Sequence, residues 1–149
     1  MDQQTGRESV RLVAQLALLR ERVTGVRGIV VAGADGLLLA HEGTIEHDPH
    51  DLAALAAAAH GIARQSGRML NQGDHQQTAI HNADGHYVVY AVSDQALLAV
   101  VAATGLNIAQ LNIQMRASTP DIDKALREDP GLFADRLDPA GQDDEAVPQ

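Results

Sequence analysis

The chain has 149 residues and a formal net charge of -9, with 45% hydrophobic residues, 2% aromatic residues and no cysteine. The missing cysteine excludes disulfides, thiolate zinc sites, iron–sulfur clusters and a cysteine nucleophile. Acidic charge, with one Phe, two Tyr and no Trp, speaks against nucleic-acid binding, which needs cations for phosphates and rings on which bases stack. The length suits one domain plus tails, with a core of Leu, Val, Ile and Ala. No apolar run reaches the roughly 18–20 residues of a membrane span, and the opening MDQQTGRES is polar where a signal peptide is apolar. A soluble, cytoplasmic protein with no transmembrane segment is expected.

Residues 1-7 are read as a flexible N-terminus. A helix follows from about Glu8, with Leu12, Leu16, Leu19 and Val23 at helical spacing and Arg11, Arg20 and Arg22 largely off that stripe. Gly25 and Gly28 end it. The run RGIVVAGADGLLLAHEG then gives two short apolar segments around Asp35-Gly36, a dipeptide suited to a tight hairpin turn. Asp48 fits the N-cap of a second helix, with Pro49 at its first position and a carboxylate at Asp51 near the exposed N–H groups. That helix is expected to run to about Leu70, and Gly73 lies beyond it. A second strand set starts at about His75, turns at Asp84-Gly85, continues through HYVVYAVSD and turns again into ALLAVVAAT. Ile29 to Ala32, Val88 to Val92 and Leu97 to Val101 are apolar on consecutive residues, the pattern of strands covered on both faces. A last helix carries Ile108, Leu111 and Met115 and should stop before Pro120. The order is α-β-β-α-β-β-β-α, with residues 8-118 as the folded domain. Residues 119-149 hold nine Asp/Glu against three Lys/Arg and four of the five prolines. They are read as a mostly disordered acidic tail in which IDKALRED could form a turn or two of helix and LFADRL, with Phe133, could dock on a partner.

Catalytic chemistry finds little support. His41, Glu42, His47, Asp48, His50 and Asp51 straddle a loop and a helix cap rather than sitting at fixed offsets on one rigid element, so solvated histidines are expected and no metal. No G-x-S-x-G presents a serine, and no glycine-rich phosphate loop is present. The chain is therefore not itself a GTPase, and neither a catalytic residue nor a cofactor is expected. His75 and His81 share strand parity and could line one sheet edge. If that edge met its symmetry mate, protonation would set like charges together and weaken the pairing.

The second helix is the informative element. Leu52, Leu55, Ala59, Ile62, Ser66 and Met69 form one stripe, assigned to the sheet, and Ala54, Ala58, Gly61, Gln65 and Arg68 form the opposite side. Small outward residues let another helix backbone approach closely. A partner helix is the natural explanation, and alanine's helix propensity is the alternative.

The hairpin GIVVAGADGL, the Ala-rich helix, YAVSDQALLAVVA and the final amphipathic helix starting near Gly105 resemble the roadblock / dynein light-chain family, in particular its bacterial, small-GTPase-associated members, over about Glu8 to Ser118. The resemblance implies an α/β fold of the profilin/roadblock kind: a five-stranded antiparallel sheet sandwiched by helices, the first and last on one face and the second on the other. It also implies a homodimer whose third strands pair and whose second helices lie side by side. Carried over, the dimer or partner interface comprises Ala54, Ala58, Gly61, Gln65 and Arg68 on the helix and His75, Gln77, Ala79 and His81 on the strand. The implied function is that of a non-enzymatic adaptor or regulator of a small Ras-like GTPase in a bacterial signalling complex, in company with a sensor-kinase-like protein. Arg64 and Arg68 are read as surface charges rather than transition-state arginines. The alternative is a small-molecule sensor domain, for which few polar anchors are evident.

Overall fold

A computed structural model describes residues 2–128, with side chains from Val10 onward. Eight elements follow in order: α1 (Asp2–Arg22), β1 (Val26–Gly33), β2 (Leu38–Gly43), α2 (Pro49–Met69), β3 (Gln77–Asn82), β4 (Gly85–Ala91), β5 (Ala96–Ala102) and α3 (Ile108–Arg127). The five strands form one antiparallel sheet in the order β2-β1-β5-β4-β3. The α/β architecture and element order are those expected from the sequence.

The sheet is covered on both sides, which is why its inner strands read as unbroken apolar runs. Alternate side chains of β1, β4 and β5 point to opposite faces. Ile29, Val31, Val88, Leu98 and Val100 pack with Leu12, Leu16 and Leu19 of α1 and Leu111 and Met115 of α3. Val30, Ala32, Tyr87, Val89, Leu97 and Ala99 pack with Ala53 and Ala56 of α2. One face thus carries two helices and the other carries one.

Local chemistry fixes the connections. In the β1–β2 hairpin Gly36 takes a φ of 89° and the Leu37 amide donates to the Asp35 carboxylate at 3.1 Å. Asp48 caps α2 by accepting from the His50 amide at 2.9 Å, and Pro49 occupies the first turn, where its missing N–H is not needed. Gly43 has a φ of 95°, and a Cβ there would lie 2.5 Å from the Arg27 carbonyl oxygen. Gly43→Ala is therefore expected to cost about 1–3 kcal/mol, read as a lower urea midpoint with an unchanged m-value.

Two boundaries differ from expectation. α1 begins at Asp2, ahead of Glu8. At the other end, α3 does not stop before Pro120 but continues to Arg127. Pro120 sits on the exposed side of the helix, as does Arg116, whose carbonyl loses its amide partner. Beyond it Ile122, Ala125 and Leu126 are buried in the α1/α3 core. Glu128 pairs with Arg11 of α1. Apolar burial of this extent outweighs the roughly 3 kcal/mol that an internal proline costs. Residues 119–127 are thus helix, capped by Glu128, rather than the head of a tail. The remainder of that segment, Phe133 included, lies outside the described residues.

Candidate functional site

The site is built from α2 and the sheet edge beside it. α2 meets the sheet through Ala53, Ala56, His60 and Gly67, all buried. Small side chains at Ala53 and Ala56 bring the helix close, close enough for the Tyr87 hydroxyl to donate to the Leu52 carbonyl at 2.6 Å. Burial raises the pKa of Tyr87, so this hydroxyl keeps its proton. Gly67 is required where α2 ends, since a Cβ there would stand 2.3 Å from the Gly73 carbonyl oxygen.

This seating rotates the helix relative to the sequence expectation. Of the stripe assigned to the sheet, Leu52 and Ala59 are only partly buried against it, whereas Leu55, Ile62 and Met69 are 48%, 74% and 72% exposed and Ser66 is also exposed. The stripe reading put the largest side chains inward; close helix–sheet packing instead selected the smallest. Ala54, Ala58, Gly61, Gln65 and Arg68 do face outward, as expected. The outer surface therefore combines small residues with Leu55, Ile62 and Met69, and Leu70 extends it. An apolar stripe is thus left open to water along the outer face of α2. Three exposed bulky residues spaced by seven along α2 are the signal that the sequence contained and that the assignment of faces concealed.

β3 lies at one end of the sheet and pairs only with β4 among the described residues, so its outer edge presents free backbone groups. The expected strand residues divide between environments. Gln77, Ala79 and His81 share the face of α1 and α3. There Gln77 donates to the Asn112 carbonyl oxygen at 2.8 Å, beside the Tyr90 hydroxyl, which donates to the same oxygen at 2.5 Å. Burial pushes Tyr90 up to about 12, against an opposing hydrogen bond from Gln77. His81 contacts His86 through their Nδ1 atoms at 2.8 Å. His75 precedes β3 and turns the other way, toward α2. Its Nδ1 lies 2.7 Å from Nδ1 of His60 and its Nε2 lies 2.7 Å from the Thr78 hydroxyl. The parity count failed because the strand begins at Gln77, after His75, and the two histidines do not line one edge.

Both members of the His60–His75 pair sit below the ordinary imidazole value. Burial is the main cause for each; His75 and Arg64 lower His60 further, while a hydrogen bond with the Gln77 backbone partly offsets the shift at His75. An unfolded chain takes up these protons near pH 6.5 and the native fold does so only at lower pH. Stability from this pair is therefore complete above about pH 6.5 and lost as pH falls from there through the folded-state values. Urea midpoints at pH 7.5 and 5.5 should show the loss, and His60→Gln should reduce it.

His41, His47, His50, Glu42, Asp48 and Asp51 do not converge. Asp48 is the helix cap, and Glu42 forms a two-pronged ion pair with Arg20, its oxygens 2.7 and 2.8 Å from Nε and Nη2. Among the described residues no three His, Asp or Glu side chains are placed to hold a metal ion, and no helix is long and apolar enough to cross a membrane.

The sequence model of the Roadblock/LC7 domain matches residues 12–102, from the buried stripe of α1 to the last strand. The chain belongs to the Roadblock/LC7 family. The Methanocaldococcus jannaschii proteins MJ0310 and MJ0714 are 24% and 25% identical to this Roadblock/LC7 chain over 111 residues, 74% of this chain and 96% and 93% of theirs. Among solved structures, a Roadblock/LC7 domain from Streptomyces avermitilis superposes with a TM-score of 0.72 at 23% identity, covering 77% of this chain and 97% of that one. Myxococcus xanthus MglB gives 0.73 at 12% identity, covering 80% and 97%. These two likenesses concern the fold.

Proposed function

We propose that this Roadblock/LC7 domain is a non-enzymatic dimeric adaptor or regulator of a small Ras-like GTPase, assembling through the outer face of α2 and the free edge of β3. The observation that carries the proposal is the exposed stripe Leu55, Ile62 and Met69, set among Ala54, Ala58, Gly61 and Gln65 and next to an unpaired strand edge. Water gains nothing from such a face, and a second helix can approach it closely. Family membership supports the same reading, as does fold similarity to an MglB described in a tetrameric arrangement.

Sedimentation velocity of the full chain at micromolar concentration, followed by capture of a Ras-like GTPase loaded with GDP or with a GTP analogue, tests the proposal. A dimer that retains the GTPase in a nucleotide-dependent way is the expected result. A monomer at these concentrations, or equal indifference to both nucleotide states with unchanged hydrolysis, overturns it.

A second reading, a small-molecule sensor, is favoured by one feature. An open cleft of about 660 Å³ lies between the β2–α2 loop and the β3–β4 turn, with Ile45, Leu52, Tyr87 and Val101 as apolar wall and Arg27 and His47 at its rim. This volume falls in the range of ligand sites. A thermal-shift screen that finds no ligand able to raise the Tm, in a chain that binds the GTPase, leaves the first reading alone.

A further inference from the structure

His75, just ahead of β3, links the two elements of the proposed partner face through its ring. On one side its ring meets His60 of α2, with ring centroids 4.9 Å apart; on the other it holds the Thr78 hydroxyl of β3. His60 is 8% exposed, so the contact is shielded where it touches the helix. Two imidazoles whose Nδ1 atoms stand 2.7 Å apart need one of those atoms to carry a proton and the other to accept it. One added proton leaves that arrangement possible. A second leaves two N–H groups, both on cations, facing each other with no acceptor between them.

The surroundings decide how the pair responds. The small cavity at this contact is lined by His60, Arg64, Asp74, His75, Ser93 and Asp94. Arg64 opposes protonation of His60, whereas the Asp74 and Asp94 carboxylates border the same cavity and would attract an imidazolium that swung into it. Opening the contact therefore has both a cause, like charges at hydrogen-bond distance, and a destination. Because the same ring holds Thr78, a swing releases the entry to β3 from α2.

We propose that His60, His75 and Thr78 form an acid-opened clasp that holds the start of β3 against α2, so that acidification loosens this face and weakens the binding of a second copy of the chain to it. The release step rests on the assembly through α2 and β3 proposed above. The clasp itself does not, and the two can be tested apart.

The experiment compares the full chain with His75→Gln, whose amide can bridge the same groups without taking up a proton, and with His41→Gln, an exposed position on β2 at the far edge of the sheet. Amide exchange of residues 72–78, corrected for intrinsic rates, is measured at pH 7.5 and 5.0, with the self-association Kd determined alongside. In the wild type, protection of this segment should fall at pH 5.0 and Kd should rise by about tenfold, the worth of one lost hydrogen bond at an interface element. His41→Gln should behave like the wild type, and His75→Gln should lose both responses. Equal protection at the two pH values in the wild type, or the same loss in His75→Gln, overturns the clasp whatever the oligomeric state. Loss of protection in a chain that is monomeric at pH 7.5 keeps the clasp and overturns the assembly on which its release role depends.

Discussion

Ala58→Glu is expected to raise the Kd for self-association by at least about a hundredfold, because each copy would bring an unpaired carboxylate into a helix–helix contact and a buried uncompensated charge costs several kcal/mol. The folded monomer should be unaffected, since Ala58 is exposed and such substitutions stay within about 0.5 kcal/mol. Gly61→Leu makes a sharper companion. Apart from the backbone of its own helix turn, nothing lies within 4 Å of where its Cβ would stand, so within one chain the substitution replaces a helix-weakening glycine and should stabilise by about 0.5–1 kcal/mol. Between chains it would force the backbones apart. A variant that is more resistant to urea yet less associated separates a partner surface from an element of the core. Wild-type sedimentation for both variants at micromolar concentration would show that this face of α2 does not carry the assembly.

Ile122→Ala is expected to lower stability by about 2–5 kcal/mol, enough to bring the Tm down by roughly 10 °C. Ile122 is fully buried against the α1/α3 core although it follows Pro120. The result distinguishes two accounts of the same segment. If residues 119–128 were part of a solvated tail, removing the Ile122 side chain would leave the urea midpoint where it was.

Much of the fold was legible because its signals are local or strongly periodic. Asp48-Pro49 announced a helix start, Asp35-Gly36 a hairpin, and the unbroken apolar runs of β1, β4 and β5 a sheet covered on both faces. The proline at position 120 misled for a physical reason. Its cost is local and visible in the sequence, whereas the burial of Ile122, Ala125 and Leu126 that offsets it depends on α1, a hundred residues away in the chain. The rotation of α2 was hidden by a similar asymmetry. Hydrophobic size usually marks the inward stripe of a helix, and here Ala53 and Ala56 go inward while Leu55, Ile62 and Met69 face out. α2 carries two apolar stripes, and periodicity alone does not say which one meets the sheet. The His60–His75 contact joins positions that no spacing rule connects; it follows from where β3 begins.

The strand order β2-β1-β5-β4-β3 has a consequence for how the molecule comes into being. The central pairing joins β1, near the beginning of the chain, to β5, near its end, so an emerging polypeptide cannot zip its middle seam until Ala102 has been synthesised. Until then the early hairpin and the late strands are separate half-sheets with exposed inner margins, a topology that folds slowly. A break between α2 and β3 divides the protein along that seam into α1-β1-β2-α2 and β3-β4-β5-α3, two fragments whose complementary margins would reconstitute the native sheet on mixing.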